Sequence, residues 1–129
     1  MANSASTWTE TNTGSAGATA TATKAASLGN THYICGLIVA CKETSTSGNP
    51  TTVTCNVKDG AMTTIISFGF TAGSTDDYDT NGGPVVINFS APIQCTTSNA
   101  VTVELTGAAM TTTASVNFWG FTSATRQED

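Results

Sequence analysis

The stretch Thr31-His-Tyr-Ile-Cys-Gly-Leu-Ile-Val-Ala-Cys41 decides the fold, because it contains the longest apolar run of the chain. In a β-strand, alternate side chains point to opposite faces. One predicted face carries Tyr33, Cys35, Leu37 and Val39, and the other carries Ile34, Ile38 and Ala40. Both faces are apolar, which is typical of a strand with neighbours on both sides. We therefore expect a central strand over Thr31 to Cys41.

The segments around this strand alternate between apolar and polar residues. Thr52 to Lys58 points Val53, Cys55 and Val57 inward, and Asp59-Gly60 then predicts a tight turn and a hairpin. Further strands are predicted over Ala18 to Ala26, Thr63 to Thr71, Ala100 to Thr106 and Ala114 to Thr122, and around the inward-facing Val85, Ile87 and Phe89. Pro92 either ends that last strand or marks a sheet edge.

The composition supports an all-β fold. The chain has 27 threonines among its 129 residues, and threonine is β-branched and suits a pleated surface. Seven or eight short strands predict a two-sheet antiparallel sandwich, a jelly roll or a related Greek-key arrangement. We expect a single domain over residues 16–125, followed by a C-terminal tail at 126–129.

Residues 1–15 are predicted to form a flexible N-terminal arm, because they are polar and hold one aromatic residue, Trp8. Two interpretations are open. The segment is either a frayed terminus or an arm whose Trp8 docks into a neighbouring subunit.

The charge of the chain limits its partners. Four Lys and Arg against nine Asp and Glu give a net charge of −5, and no basic cluster is present to neutralise phosphates, so we expect no nucleic-acid binding. The longest apolar run, Ile34 to Cys41, is too short to cross a bilayer, so we expect no membrane partner. The first eight residues have neither a positive charge nor an apolar segment, so we expect synthesis and assembly in a cytoplasm.

The sequence offers little for catalysis, and we expect no enzymatic activity. Its single histidine, His32, stands three residues before Cys35, and positions three apart point to opposite sides of a strand. We expect His32 to be a strand-end side chain with a satisfied hydrogen bond rather than a general base. No nucleotide-binding or nucleophile motif is present, and we predict no cofactor.

The four cysteines, Cys35, Cys41, Cys55 and Cys95, lack the paired spacing of a zinc site. The leading interpretation is that they are reduced and buried, because free cysteine behaves as a small apolar residue. A disulfide between Cys41 and Cys55 is the alternative. Thiol titration of the denatured chain should find four thiols if the first interpretation is right.

Two ligand patterns are present but incomplete. Asp77, Asp79 and Asn81 match the alternating oxygen ligands of a calcium loop, but the position of the closing glutamate holds Asn88. We favour a solvated turn and predict no metal. For carbohydrate, the candidate stacking residues are Tyr33, Tyr78 and Trp119.

Five segments carry a resemblance to a known family. They are His32-Tyr-Ile-Cys-Gly-Leu-Ile-Val-Ala40, Val57-Lys-Asp-Gly60, Val85-Val-Ile-Asn-Phe-Ser-Ala-Pro-Ile93, Val101-Thr-Val-Glu-Leu-Thr-Gly107 and Val116-Asn-Phe-Trp-Gly-Phe121. Their order resembles small β-sandwich proteins that decorate or cement the capsids of tailed bacteriophages. The chain departs from that pattern in its four cysteines and in the acidic stretch at 73–83.

The resemblance implies a homotrimer on the capsid exterior, with the major capsid protein lattice as partner and the bacterial host cytoplasm as the place of synthesis. Trp119 and Phe121 are candidate interface residues, because the segment Ala114 to Thr122 is apolar on both faces. The rival hypothesis is a carbohydrate- or receptor-binding module of a viral fibre or spike.

Overall fold

The computed structural model describes residues 5–14, 19–43, 51–72, 81–106 and 112–124, and it folds them into eight β-strands. The strands are β1 (Ala5–Thr13), β2 (Ala20–Lys24), β3 (Asn30–Glu43), β4 (Thr51–Asp59), β5 (Thr63–Ala72), β6 (Asn81–Gln94), β7 (Val101–Thr106) and β8 (Thr112–Ala124). Within these ranges, no helix is long and apolar enough to span a bilayer. The predicted all-β fold is confirmed.

The strands form two four-stranded sheets. Sheet A has the order β1-β8-β3-β6, and sheet B has the order β2-β7-β4-β5. The first strand pairs with the eighth, the second with the seventh, the third with the sixth and the fourth with the fifth, all antiparallel. A chain paired in this nested way is one long hairpin rolled into a sandwich, which is the jelly-roll arrangement. The predicted sandwich is confirmed, and β3 is a central strand as expected.

The hairpin between β4 and β5 follows its sequence signal closely. Val53, Cys55 and Val57 are buried, whereas the alternate side chains of β4 are half-buried. Gly60 has a φ of 77°, a conformation that residues with a Cβ rarely adopt, so glycine makes the turn after Asp59 possible. Pro92 lies within β6, and β6 is an edge strand of sheet A, where a missing amide proton is tolerated.

The prediction of a flexible N-terminal arm needs correction. Residues 5–13 are not a free arm but strand β1, which pairs with β8 from Ala5 opposite Ser123 to Thr13 opposite Ser115. Trp8 packs into the core of its own chain, against the ring of Phe118 at a centroid distance of 5.2 Å. The sequence does not predict this strand, because the residues around Trp8 are polar. An edge strand can be held by pairing and by one large side chain in the core, which here is Trp8. Trp8 is therefore not free to dock into a neighbour.

The predicted faces of β3 also need correction. The register of β3 shifts between Ile34 and Gly36, where a β-bulge interrupts the alternation of side chains. Ile34 therefore faces the core together with Leu37 and Val39, whereas the alternation in the sequence puts Ile34 on the opposite face. Tyr33, predicted on the same face as Leu37, lies on the outside of sheet A.

The core lies between the two sheets and is mainly aliphatic, with Trp8, Phe118 and three cysteines. Its largest fully buried apolar side chains are Phe118, Ile34, Leu37 and Leu105. The inward side chains of β6, Val85, Ile87, Phe89 and Ile93, pack against its margin. Both sheets thus bury one face inside the sandwich, and what distinguishes them is the chemistry of their outer faces.

Candidate functional site

The outer face of sheet A is the main candidate site. Because Phe118 and Val116 of β8 point inward, their neighbours Trp119 and Phe121 point outward. Strand pairing sets Phe121 beside Tyr33, and Asn117 beside Ile38 and, one strand further, Val86. We call the surface made by Tyr33, Ile38, Val86, Trp119 and Phe121 the aromatic face. The two interface candidates from the sequence, Trp119 and Phe121, are brought together on it.

The aromatic face is partly packed on itself and partly open. The rings of Tyr33 and Phe121 are stacked, with centroids 4.7 Å apart and planes within 10° of each other. Trp119 lies over Gly36, where a Cβ would collide with the indole. Val86 is 52% exposed and Ile38 is 36% exposed. Contiguous apolar area of this kind on an outer sheet face is typical of an interaction surface.

A buried acceptor lies at the centre of the same face. The side-chain oxygen of Asn117 is shielded from solvent and has no hydrogen-bond partner among the described residues. An unsatisfied buried carbonyl oxygen costs free energy. A donor supplied from outside the chain would remove that cost, which is a second feature of the aromatic face that favours a partner.

Sheet B presents a different outer surface. The outward side chains of β2, β4 and β7 are threonine, asparagine, lysine and glutamate. Lys58 and Glu104 form an ion pair at 2.9 Å, and the hydroxyls of Thr23 and Thr102 lie 3.4 Å apart. Apart from Ile65 of β5, which is 36% exposed beside an irregularity in the strand register, this face is polar and internally paired. The outer face of sheet B therefore lacks the aromatic cluster of sheet A.

The single histidine is not at a surface. His32 is fully buried, with its Nε2 atom 2.9 Å from the carbonyl oxygen of Ala25 and its Nδ1 atom 2.7 Å from the hydroxyl of Thr122. A carbonyl only accepts, so Nε2 carries the proton and donates it. The hydroxyl of Thr122 then donates to Nδ1 and accepts from Nε1 of Trp8 at 3.0 Å. The expected satisfied hydrogen bond of His32 is confirmed, and both ring nitrogens have partners.

This chain of hydrogen bonds predicts the effect of removing one hydroxyl. Thr122→Val keeps the shape of the side chain but leaves Nε1 of Trp8 and Nδ1 of His32 without their hydrogen-bond partner. We expect the free energy of unfolding to fall by about 2 kcal/mol, measured by urea denaturation. Thr102→Val is the matched control on the outer face of sheet B and should change stability by less than about 0.5 kcal/mol. Equal effects of the two substitutions would contradict the network.

All four cysteines have free thiols, and Cys41, Cys55 and Cys95 are buried. Burial raises the pKa of Cys41 from 9.0 to about 11 and the pKa of Cys55 to about 12. Burial and, secondarily, the Asp59 carboxylate raise the pKa of Cys95 to about 12. Thiols held in the protonated form are poor nucleophiles and poor metal ligands. The described residues contain no cluster of His, Cys, Asp and Glu that fits a metal.

The raised thiol pKa values predict that the protein loses stability above about pH 9. The unfolded chain releases thiol protons at a lower pH than the folded chain, so rising pH favours the unfolded state. For the three buried thiols together, we expect a loss of about 2 kcal/mol between about pH 8 and pH 9.5. Urea unfolding across this range measures the slope, and Cys55→Ala should reduce it by about a third. An unchanged slope in that variant would contradict the assignment.

Other predicted ligands lie outside the part of the chain that the structure describes. Asp77, Tyr78 and Asp79 fall in the interval 73–80, and the backbone alone is described at Asn81. The calcium pattern and one of the three stacking residues for carbohydrate therefore remain predictions. The other two stacking residues, Tyr33 and Trp119, both lie on the aromatic face.

Comparisons with known proteins give one result for the fold and none for the sequence. No protein-family model matches the chain. No curated protein matches its sequence either. Among solved structures, the chain is similar to one titled "Desmodium yellow mottle tymovirus", at 12% sequence identity and a TM-score of 0.48, over 100% of this chain and 92% of that one.

Proposed function

We propose that the chain is a non-enzymatic virion structural protein that decorates and stabilises the outside of a bacteriophage capsid as a homotrimer. The observation that carries the proposal is the aromatic face, which leaves Val86, Ile38 and the rings beside them on the outside of a sandwich whose other face is mainly polar. The resemblance of five sequence segments to capsid decoration proteins is the reason for assigning this face to self-association on a capsid.

Self-association explains the aromatic face in physical terms. Closed cyclic oligomers bury matching surfaces without leaving an open end. The aromatic face contains no charged residue, so covering it does not require the free energy of removing water from charged groups. Threonines Thr7 and Thr9 of β1 stand beside Phe121 and Trp119 in register and provide hydroxyls at the rim. Apolar centre and polar rim are the usual composition of protein interfaces.

The jelly-roll fold is compatible with the proposal but does not decide it. Viral capsid proteins and lectins both use this fold, and function belongs to sites rather than to folds. On a capsid, each weak contact is repeated many times, so a trimer stabilises the shell by linking neighbouring coat subunits. The major capsid protein lattice is therefore the proposed partner, and the capsid exterior the proposed location.

Co-sedimentation with capsids that lack the protein tests this function. We expect the purified chain to bind in a fixed ratio to the coat subunits and to raise the temperature at which the capsids break open. Folded coat subunits that have not assembled are the control, because they present the same protein without the lattice. Absence of saturable binding would contradict the proposal.

The trimer makes a separate prediction. Val86→Lys places a charge on the aromatic face at a half-exposed position where the fold tolerates it, so we expect trimers to become monomers at micromolar concentration. Light scattering measures the change. Thr21→Lys, on the outer face of sheet B, is the matched control and should remain trimeric. A wild-type chain that is monomeric under the same conditions would contradict the trimer.

A carbohydrate- or receptor-binding module is the second candidate, because Tyr33 and Trp119 share one outward face and aromatic rings stack on sugar rings. A glycan array distinguishes the two. Binding that Trp119→Ala abolishes while the oligomeric state is unchanged would favour the second function.

A further inference from the structure

Three connections meet at one end of the sandwich: residues 25–29 between β2 and β3, residues 60–62 between β4 and β5, and residues 95–100 between β6 and β7. We call them together the turn-rich end. The connection at 95–100 lies between the other two, because it is hydrogen-bonded to Gly29 on one side and to Gly60 on the other.

Hydrogen bonds fix the first side of the turn-rich end. The amide of Gly29 donates to the hydroxyl of Ser98 at 2.8 Å, and the amide of Ser98 donates to the carbonyl of Asn30 at 2.8 Å. The hydroxyls of Thr31 and Thr97 are 2.6 Å apart. On the other side of Leu28, the carbonyl of Ser27 accepts from the amide of Asn30 at 3.0 Å, so the turn that carries Leu28 is held on both of its flanks.

A single carboxylate fixes the second side. Asp59 accepts hydrogen bonds from the amide and the hydroxyl of Thr96, at 2.9 and 2.8 Å, and from the side-chain amide of Asn99 at 3.1 Å. The amide of Gly60 donates to the carbonyl of Ala100 at 2.8 Å. Gly29, Gly60 and Ser98, which are the described residues with positive φ, all lie at this end. Its backbone is thus held in a defined conformation.

This rigid end displays two apolar side chains almost completely to solvent. Leu28 is 94% exposed and Met62 is 91% exposed, more than any other large apolar side chain of the described residues. Single exposed apolar residues are common on protein surfaces. Here, however, two of them lie on opposite sides of one hydrogen-bonded connection. A pre-organised loop loses little conformational entropy when it binds, so these two side chains are suited to act as anchors for a partner.

The surroundings of these anchors indicate the chemistry of the partner. The three connections contain no Asp, Glu, Lys or Arg. Ser27, Thr96, Thr97 and Asn99 provide a rim of hydroxyl and amide groups. The nearest lysines are engaged elsewhere: Lys58 pairs with Glu104, and Nζ of Lys24 lies 5.7 Å from the centroid of the Trp8 ring. No cluster of positive charge is therefore present to attract the phosphates of nucleic acids or of anionic lipids. An uncharged apolar centre with a polar rim matches a protein surface.

We propose that the turn-rich end is the surface that docks on the capsid, with Leu28 and Met62 each entering an uncharged apolar socket of the coat protein. This inference rests on the proposed function and adds a location to it. The aromatic face is on the side of the sandwich, whereas the turn-rich end is at the ends of the strands, so one protein can use the first for self-association and the second for docking.

The test compares four forms of the protein on capsids that lack it: wild type, Leu28→Ser, Met62→Ser and the double variant. Both side chains are exposed, so thermal unfolding and light scattering should show an unchanged fold and oligomeric state. Each single substitution should weaken binding roughly tenfold to a hundredfold, and the double variant should show no saturable binding. Ala61→Ser is the matched control, because it changes an exposed residue of the same turn without removing an anchor.

The outcomes separate the two proposals. Wild-type binding that the double variant retains would overturn the docking surface and leave the proposed function intact. Failure of the wild type to bind would overturn both. Neutral phosphatidylcholine vesicles serve as a further probe, and binding of the wild type to them that the double variant loses would assign the turn-rich end to a bilayer and overturn a protein socket.

Discussion

Replacing Trp8 with alanine is expected to lower the free energy of unfolding by about 3–5 kcal/mol. The side chain is buried among the apolar residues of the core, stacks edge-on against Phe118 and donates a hydrogen bond to Thr122. Its removal leaves a cavity and takes away one of the two hydrogen bonds of the Thr122 hydroxyl. It also removes the one side chain that anchors β1 between the sheets, so β1 should separate from β8.

Urea denaturation of Trp8→Ala against Thr9→Ala measures this effect. Thr9 is the next residue of β1 and is exposed on the outer face, so its loss should change stability by less than about 0.5 kcal/mol. Amide hydrogen exchange along β8 provides a local measurement, because strand β8 loses one of its two neighbours when β1 separates. A loss below about 1 kcal/mol in Trp8→Ala would restore the interpretation of residues 1–15 as a frayed terminus.

Gly120→Ala is the second substitution with a large expected effect, a loss of about 3 kcal/mol or more in the free energy of unfolding. A Cβ at this position would collide with the backbone carbonyl of Tyr33 on the paired strand and would lie 2.9 Å from Cζ2 of Trp8. Neither obstacle is the end of a flexible side chain. The methyl group therefore forces β8 away from β3 or displaces Trp8 from the core.

Gly29→Ala is the control that separates crowding from backbone conformation. Gly29 has a φ of 78°, but a methyl group attached to its Cα would have no atom within 4 Å apart from those of Gly29 itself and its two chain neighbours. Alanine there meets only the left-handed backbone, at a cost of about 1–2 kcal/mol. In thermal unfolding, the midpoint temperature of Gly120→Ala should be well below that of Gly29→Ala. The reverse order would contradict the close approach of β8 and β3.

Much of the fold could be predicted from the sequence, because local signals and tertiary packing agree there. Strand β4 alternates cleanly between apolar and polar residues, and Asp59-Gly60 marks its turn. Strand β1 could not be predicted, because it is an edge strand whose only large buried side chain is Trp8. Its stability comes from pairing with β8, and pairing between residues more than a hundred positions apart leaves no local pattern.

The candidate sites, too, combine features that the local sequence predicts with features that only tertiary packing determines. Trp119 and Phe121 stand out because they make β8 apolar on both faces, but which face points outward depends on packing. The bulge beside Gly36 could not be predicted either, since counting by twos assumes an unbroken strand. Leu28 and Met62 do not stand out in the sequence. Their only signal is an apolar residue next to or within a glycine turn, and the rigidity of that turn depends on hydrogen bonds from 95–100.

The nested pairing of the strands has a consequence for how the protein is made. Strand β8, the last of the described strands, lies between β1 and β3, so sheet A cannot close until residues 112–124 have left the ribosome. Until then, the apolar side chains of the earlier strands remain accessible to chaperones and to one another. Folds dominated by such distant contacts form in milliseconds to seconds rather than microseconds. Assembly of sheet A thus follows the synthesis of β8, and the speed of synthesis sets how long the incomplete sheet persists.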